Sequence, residues 1–229
     1  MLENLTGNDK RASVLVSDLD EVLTLISPLW YKKILNNFHK FKDYFKDLGE
    51  LSDKEILNRK TYYINNWLLK DNINTLPKEI YEEFFNLYTS GTFYTECTPT
   101  NFCKGLLTLE RQSWVDSIYI VSHTEPETIK DKLRFCKKYL NGKKFKIVLL
   151  NPKDKKSEFI NSHNINFNTI VDDSLAVVED YLRNIPLEKS MFREILIPKY
   201  GHNNIEENSE LYKLAQDKFI NLKYYQNIL

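Results

Sequence analysis

Two aspartates set two residues apart, Asp18 and Asp20, end the apolar run of Ser13 to Thr24, SVLVSDLDEVLT. Carboxylates this close repel one another unless a cation or a shared proton lies between them. The pair therefore points to metal binding or to acid–base chemistry, against the plain alternative of a solvated turn after a strand. The preceding Val14-Leu15-Val16 reads as a buried strand, and open α/β sheets gather ligands at the carboxyl ends of such strands. Side chains alternate along a strand, so Asp18 and Asp20 share a face if the extended conformation continues past its end.

Three more segments of the same kind follow. Ser117 to Ser122, SIYIVS, is an apolar run ending in a hydroxyl, with His123 next to it. Asn168 to Ser174, NTIVDDS, ends in the adjacent acids Asp172 and Asp173. Between them, Lys153 to Ile160, KDKKSEFI, is a basic cluster opening a helix. Each has a structural alternative: acids cap helix starts, a serine can simply end a strand, and a run of lysines is ordinarily a solvated face. Thr124-Glu125-Pro126-Glu127 matches a capping box, which would set an anion-favouring helix N-terminus beside Ser122.

In this order of acids, hydroxyl, lysine and acids, the chain resembles the phosphatases of the haloacid dehalogenase superfamily, over roughly residues 11 to 24 and 95 to 200. The resemblance implies an α/β fold, a Rossmann-like three-layer parallel sheet with an all-helical cap inserted after the first strand. It makes Asp18 the nucleophile that forms an aspartyl-phosphate and Asp20 the general acid/base. Ser122 would bind a phosphate oxygen, with His123 and Lys155 as substrate contacts or, for His123, a simple loop residue. Lys156 is the preferred catalytic lysine, ahead of Lys155 and Lys153, because it directly precedes the helical SEFI segment. Mg2+ would be held by Asp18, the Asp20 backbone carbonyl, Asp172 and, directly or through water, Asp173. Glu21 departs from the pattern, since many members carry glycine there. Thr24 and the helical segment after it also look similar to small 5'-deoxyribonucleotidases.

The elements that must position these groups alternate between strand and helix from residue 95 onward. Helices are expected at 99–112, 126–140, 154–163 and 174–183, and strands at 117–121, 145–150, 168–172 and 193–197, about five core strands with the first. Residues 27–90 break the alternation and read as helices, one from Ser27-Pro28 to Gly49, one opened by the capping box Ser52-Asp53-Lys54-Glu55, and one from Pro77 to before Gly91. This gives a core of residues 11–26 and 91–229 and a cap of residues 27–90. The cap is rich in aromatic residues, Trp30, Tyr62, Trp67 and Tyr88 among them, most of which must form its own core while the rest are available to line a substrate pocket.

Composition sets outer bounds. With 32 basic and 32 acidic residues in 229, the chain has no net charge, which argues against a polyanion-binding surface. No apolar stretch reaches the roughly 20 residues that span a bilayer, and MLENLTGNDK has no signal-peptide core. Cys97, Cys103 and Cys136 form no CxxC pair and read as reduced, buried thiols. The expectation is a cytoplasmic, magnesium-dependent phosphomonoester hydrolase acting on a small phosphorylated metabolite, a nucleoside monophosphate first among them. The competing readings are a non-catalytic magnesium or phospho-ligand binding protein, a polynucleotide end-phosphatase, and a receiver domain, against which the long helical insertion argues.

Overall fold

A computed structural model describes residues 13–186, 191–203 and 209–226. Residues 11 and 12, assigned to the core from sequence, and the MLENLTGNDK segment lie outside these.

The first strand, β1 (Ser13–Ser17), pairs in parallel with β2 (Val115–His123) on one side and β4 (Thr169–Val171) on the other. Outward from these lie β3 (Phe145–Leu150) beside β2 and β5 (Glu194–Pro198) beside β4, with β6 (Asn221–Tyr225) closing that edge. The order β3-β2-β1-β4-β5-β6 makes one six-stranded, all-parallel sheet. Central strands buried on both faces need unbroken apolar runs, which is why β1 and β4 stand out in the sequence. The sixth strand was not among the expected five, because NLKYY, an edge strand, turns Asn221 and Lys223 to solvent and reads as polar.

Helices cover both faces. On one, α6 (Asn101–Glu110) and α7 (Ile129–Tyr139) bury Leu106, Leu109, Phe135 and Cys136 against Leu15, Ile118, Ile120 and Val171. On the other, α8 (Lys156–Ser162), α9 (Leu175–Asn184) and α10 (Glu210–Asp217) pack Ile160, Val178, Tyr181, Leu182 and Ala215 on Val16, Val121, Ile170 and Ile195. Leu15 and Val16 thus serve opposite layers, as the period of two requires.

An all-helical segment lies between β1 and β2: α1 (Ile26–Asn36), α2 (Asp53–Leu57), α3 (Ile64–Leu68), α4 (Lys78–Thr89) and α5 (Phe93–Glu96). Tyr31, Ile34, Phe41, Phe45, Ile56, Ile64, Leu68 and Phe84 form a separate apolar cluster there. The capping box at Ser52 forms, with Glu55 N–H donating to Ser52 Oγ at 3.3 Å and Ser52 N–H to Glu55 Oε2 at 2.8 Å. The single helix expected from Ser27 to Gly49 instead stops at Asn36. Asn37 leaves the helical region and its side chain donates to Lys33 O at 2.8 Å, competing with the backbone ladder. A short 3₁₀ turn at Phe38–Lys40 follows, and Phe41 and Phe45 then fold back into the cluster.

Candidate active site

Asp18 leaves β1 with its N–H bonded to Val171 O at 2.8 Å, so it is fixed against β4. One tight turn follows, in which the N–H groups of Leu23 and Thr24 donate to Leu19 O at 2.8 and 3.1 Å. Glu21 sits in this turn with φ of 56°, a left-handed conformation that favours glycine and explains why glycine suits the position. Its buried carboxylate accepts from Ser27 N–H at 2.9 Å and lies 3.9 Å from Arg59 Nη2. The departure from glycine therefore joins the first loop to the helical insertion.

The end of β4 brings Asp172 and Asp173 alongside. One oxygen from each of Asp18, Asp172 and Asp173 lies within 4.8 Å of the other two, and all three residues are buried. Lys156, the first residue of α8, reaches in with Nζ 2.8 Å from Asp172 Oδ2 and 2.9 Å from Asp18 Oδ1. Asp172 Oδ1 also accepts from the N–H of Ser174, the residue before α9, at 3.0 Å. Burial alone would lower the Lys156 ammonium, but Asp172 and Asp18 outweigh it and hold it well above its ordinary value. Burial pushes the Asp173 carboxyl well up, with Asp172 and Asp18 adding to the push.

Three carboxylates thus face one ammonium. Neither Asp173 oxygen has a hydrogen-bond partner among the described residues. His202 Nε2 stands 3.5 Å from Asp173 Oδ2, yet burial and then Arg59 push this imidazole down to about 3, so it brings no charge at neutral pH. A buried, unpartnered carboxylate is costly. Excess negative charge and an all-oxygen donor set fit a hard divalent cation.

On the other side of Asp18 the arrangement is different. Asp20 Oδ2 accepts from Lys132 Nζ at 2.8 Å and from Tyr94 Oη at 3.1 Å, while Asp20 Oδ1 has no hydrogen-bond partner among the described residues. Burial raises the Asp20 carboxyl above its ordinary value; Lys132 opposes this and Asp18 adds to it. Ser122, buried at the end of β2, accepts from Lys132 Nζ at 3.2 Å.

The remaining sequence candidates lie apart from this centre. The His123 ring contacts Asp154 O through Nε2 at 2.8 Å and so ties β2 to the loop before α8. Lys155 is the N-cap residue of α8 and its exposed ammonium lies 3.8 Å from Glu158 on the surface. The expected capping box at Thr124 does not form. Its hydroxyl bonds Thr128 Oγ1 at 3.0 Å instead, and a 3₁₀ turn at Pro126–Thr128 delays α7 until Ile129.

Sequence reasoning missed Lys132, Tyr94, Asn203, Arg59 and His202. Asn203 Nδ2 donates to Asp173 O at 3.1 Å and Pro198 O at 2.8 Å, holding the acid's backbone. From the insertion, Tyr62 sets its ring edge-on to His202 at 5.2 Å, and the charge of Asp173 above all holds its phenol well above its usual value. Gly201 lets the core meet the insertion directly, since a Cβ there would fall 2.1 Å from Asn58 O.

The acids meet where the chain's winding reverses, β2 and β3 to one side of β1 and β4 to β6 to the other, which is the switch point of a doubly wound sheet. With a helical insertion leaning on that edge, this is a Rossmann-like α/β fold. No protein-family model and no curated protein matches the sequence. Solved structures do. The chain is similar to a haloacid dehalogenase-like family hydrolase of Streptococcus pneumoniae, at 12% identity over 94% of this chain and 95% of that one, with a TM-score of 0.56. It is similar to a haloacid dehalogenase-like hydrolase of Xanthomonas campestris, at 8% identity over 88% and 89% of the chains (TM-score 0.51). It is also similar to CbbY of Rhodobacter sphaeroides in complex with phosphate, at 10% identity over 86% and 91% (TM-score 0.50).

Proposed function

We propose that this protein is a divalent-metal-dependent phosphomonoester hydrolase that works through an aspartyl-phosphate on Asp18. The observation that carries the reading is Lys156 held between Asp18 and Asp172 with Asp173 beside them, its oxygens without a hydrogen-bond partner among the described residues. An Oδ of Asp18 attacks phosphorus as the bond to the leaving oxygen breaks, and Asp20 passes its proton to that oxygen. Water then attacks the acyl-phosphate, giving its proton back to Asp20 and releasing inorganic phosphate. Lys156 holds Asp18 in place through their 2.9 Å ion pair and offsets phosphate charge, and the Ser122 hydroxyl turns to a phosphate oxygen. Asp18, Asp172 and Asp173 would hold Mg2+, with the Asp20 carbonyl, and the ion would supply further neutralisation of the phosphate.

The helices of residues 27–90 act as the cap in this reading, bringing Arg59 and Tyr62 to the acids. The substrate is a small phosphorylated metabolite. Tyr62, 43% exposed beside the acids, offers a ring for stacking, which keeps a nucleoside monophosphate first among the candidates. Among the described residues no helix is long and apolar enough to cross a membrane. The three cysteines are free and buried, with burial pushing Cys103 and Cys136 up to about 12, as suits a reducing cytoplasm.

The test is phosphate release from a panel of nucleoside monophosphates and sugar phosphates. Turnover should require Mg2+, vanish with chelator, and fall by about 10⁴-fold or more in Asp18→Asn, the scale of losing a covalent nucleophile. Undiminished turnover in Asp18→Asn would remove the aspartyl-phosphate mechanism.

A further inference from the structure

Lys132 is fully buried in the second turn of α7, and its ammonium has three hydrogens to place. All three are taken: Asp20 Oδ2 at 2.8 Å, Ser122 Oγ at 3.2 Å and the carbonyl of His123. These acceptors come from the loop after β1 and the end of β2. One side chain thus fixes the spacing between the two strand ends that flank the reacting phosphate. Tyr94 completes the clamp. Its hydroxyl donates to the same Asp20 oxygen at 3.1 Å, its ring lies 5.0 Å from Lys132 Nζ, and Tyr88 Oη meets Tyr94 Oη at 2.5 Å. The residue next to Lys132 secures Tyr94, since Asp131 Oδ2 accepts the Tyr94 N–H.

The consequence for Asp20 is asymmetry. Oδ2 is tied twice to the scaffold, while Oδ1 is bonded to nothing among the described residues. A carboxyl held by one oxygen presents the other in a fixed direction. As its proton leaves, the charge that appears on Asp20 does so 2.8 Å from an ammonium already in place.

We propose that Lys132, braced by Tyr94, is the positioning residue for proton transfer by Asp20, aiming Oδ1 at the leaving oxygen and stabilising the carboxylate as it forms. The assignment rests on the phosphomonoesterase reading above and deepens it. Its effect belongs to the leaving group: an alkoxide needs a proton as it departs, whereas p-nitrophenolate departs without one.

The experiment compares kcat/KM on glycerol 2-phosphate and p-nitrophenyl phosphate for the full-length protein with Mg2+, in wild type, Lys132→Met, Tyr94→Phe and Asp20→Asn. Lys132→Met should lose about 10²-fold on glycerol phosphate and less than about tenfold on p-nitrophenyl phosphate, within the range of general acid catalysis. Asp20→Asn should show the same selectivity more strongly. A purely structural lysine would lower both substrates alike, and that result, with Asp20→Asn still selective, overturns the assignment while leaving the phosphatase reading standing. Should Lys132→Met fail to fold, Tyr94→Phe is read by the same ratio, and equal losses overturn the assignment. Wild type inactive on both substrates overturns the reading and this assignment together.

Discussion

Around Asp18, three buried carboxylates face the single ammonium of Lys156, whereas around Asp20 one carboxylate meets one ammonium and a phenol. Among the described residues the first group leaves both Asp173 oxygens without a hydrogen bond; the second uses every hydrogen Lys132 has. Buried charge is tolerated in two ways here. One half of the site is balanced from within the chain, and the other is left negative in a place where an outside cation fits.

Stability measurements would break or sharpen this contrast. The largest effect should come from Asp20→Ala, which strands the buried Lys132 charge. Losing one partner of such a pair costs about 3–5 kcal/mol, a fall in Tm on the order of 10 °C for a chain of this size. A calorimetric scan with no fall would show that Lys132 does not depend on Asp20. Next is Mg2+ itself. At about a hundred times its Kd it should add ~2.7 kcal/mol, raising Tm by several degrees in a way that chelator reverses and Asp173→Asn diminishes. A Tm that ignores Mg2+ at constant ionic strength would end the view of the Asp18 half as a cation site. The smallest effect is the most diagnostic in sign. In chelator, Asp173→Asn replaces a buried carboxyl whose ionisation Asp172 and Asp18 oppose and should stabilise by about 1 kcal/mol, a rise of roughly 2–4 °C. A decrease there would mean that the acids already have an internal partner.

The unbalanced half was legible in the sequence; of the balanced half, Asp20 and Ser122 were legible and Lys132 and Tyr94 were not. Asp18, Asp172 and Asp173 each follow a β-branched run at a strand end, where a change from apolar to acidic is abrupt, and Lys156 precedes a short helical motif. Lys132 lies in IKDKLRFCKKY, one of four lysines in an ordinary-looking amphipathic helix. That helix inverts the usual rule, exposing Ile129 and Leu133 while burying Asp131 and Lys132. Polarity periodicity therefore turns it the wrong way round. A buried face shared by Asp131, Lys132, Phe135 and Cys136 is apparent only when tertiary contacts supply the partners. The insertion was legible in kind but not in detail, because a side-chain bond from Asn37 to Lys33 O ends α1 more than a turn before any glycine or proline would. Arg59 and Tyr62 carry no local signal at all, since their importance comes from where the insertion folds back.

The central place of β1 also bears on how the chain is made. Leu15 is paired with Ile118 and with Thr169, so the strand bearing Asp18 has no neighbour until about a hundred further residues have left the ribosome. At the usual ~5–20 residues per second that is an interval of about 5–20 s. SVLVS is an apolar segment with Lys10 and Arg11 shortly before it and Asp18 and Asp20 after it, and flanking charges of this kind oppose aggregation of an unpaired strand. The carboxylates that crowd the folded site thus also stand where flanking charges would protect an unpaired strand.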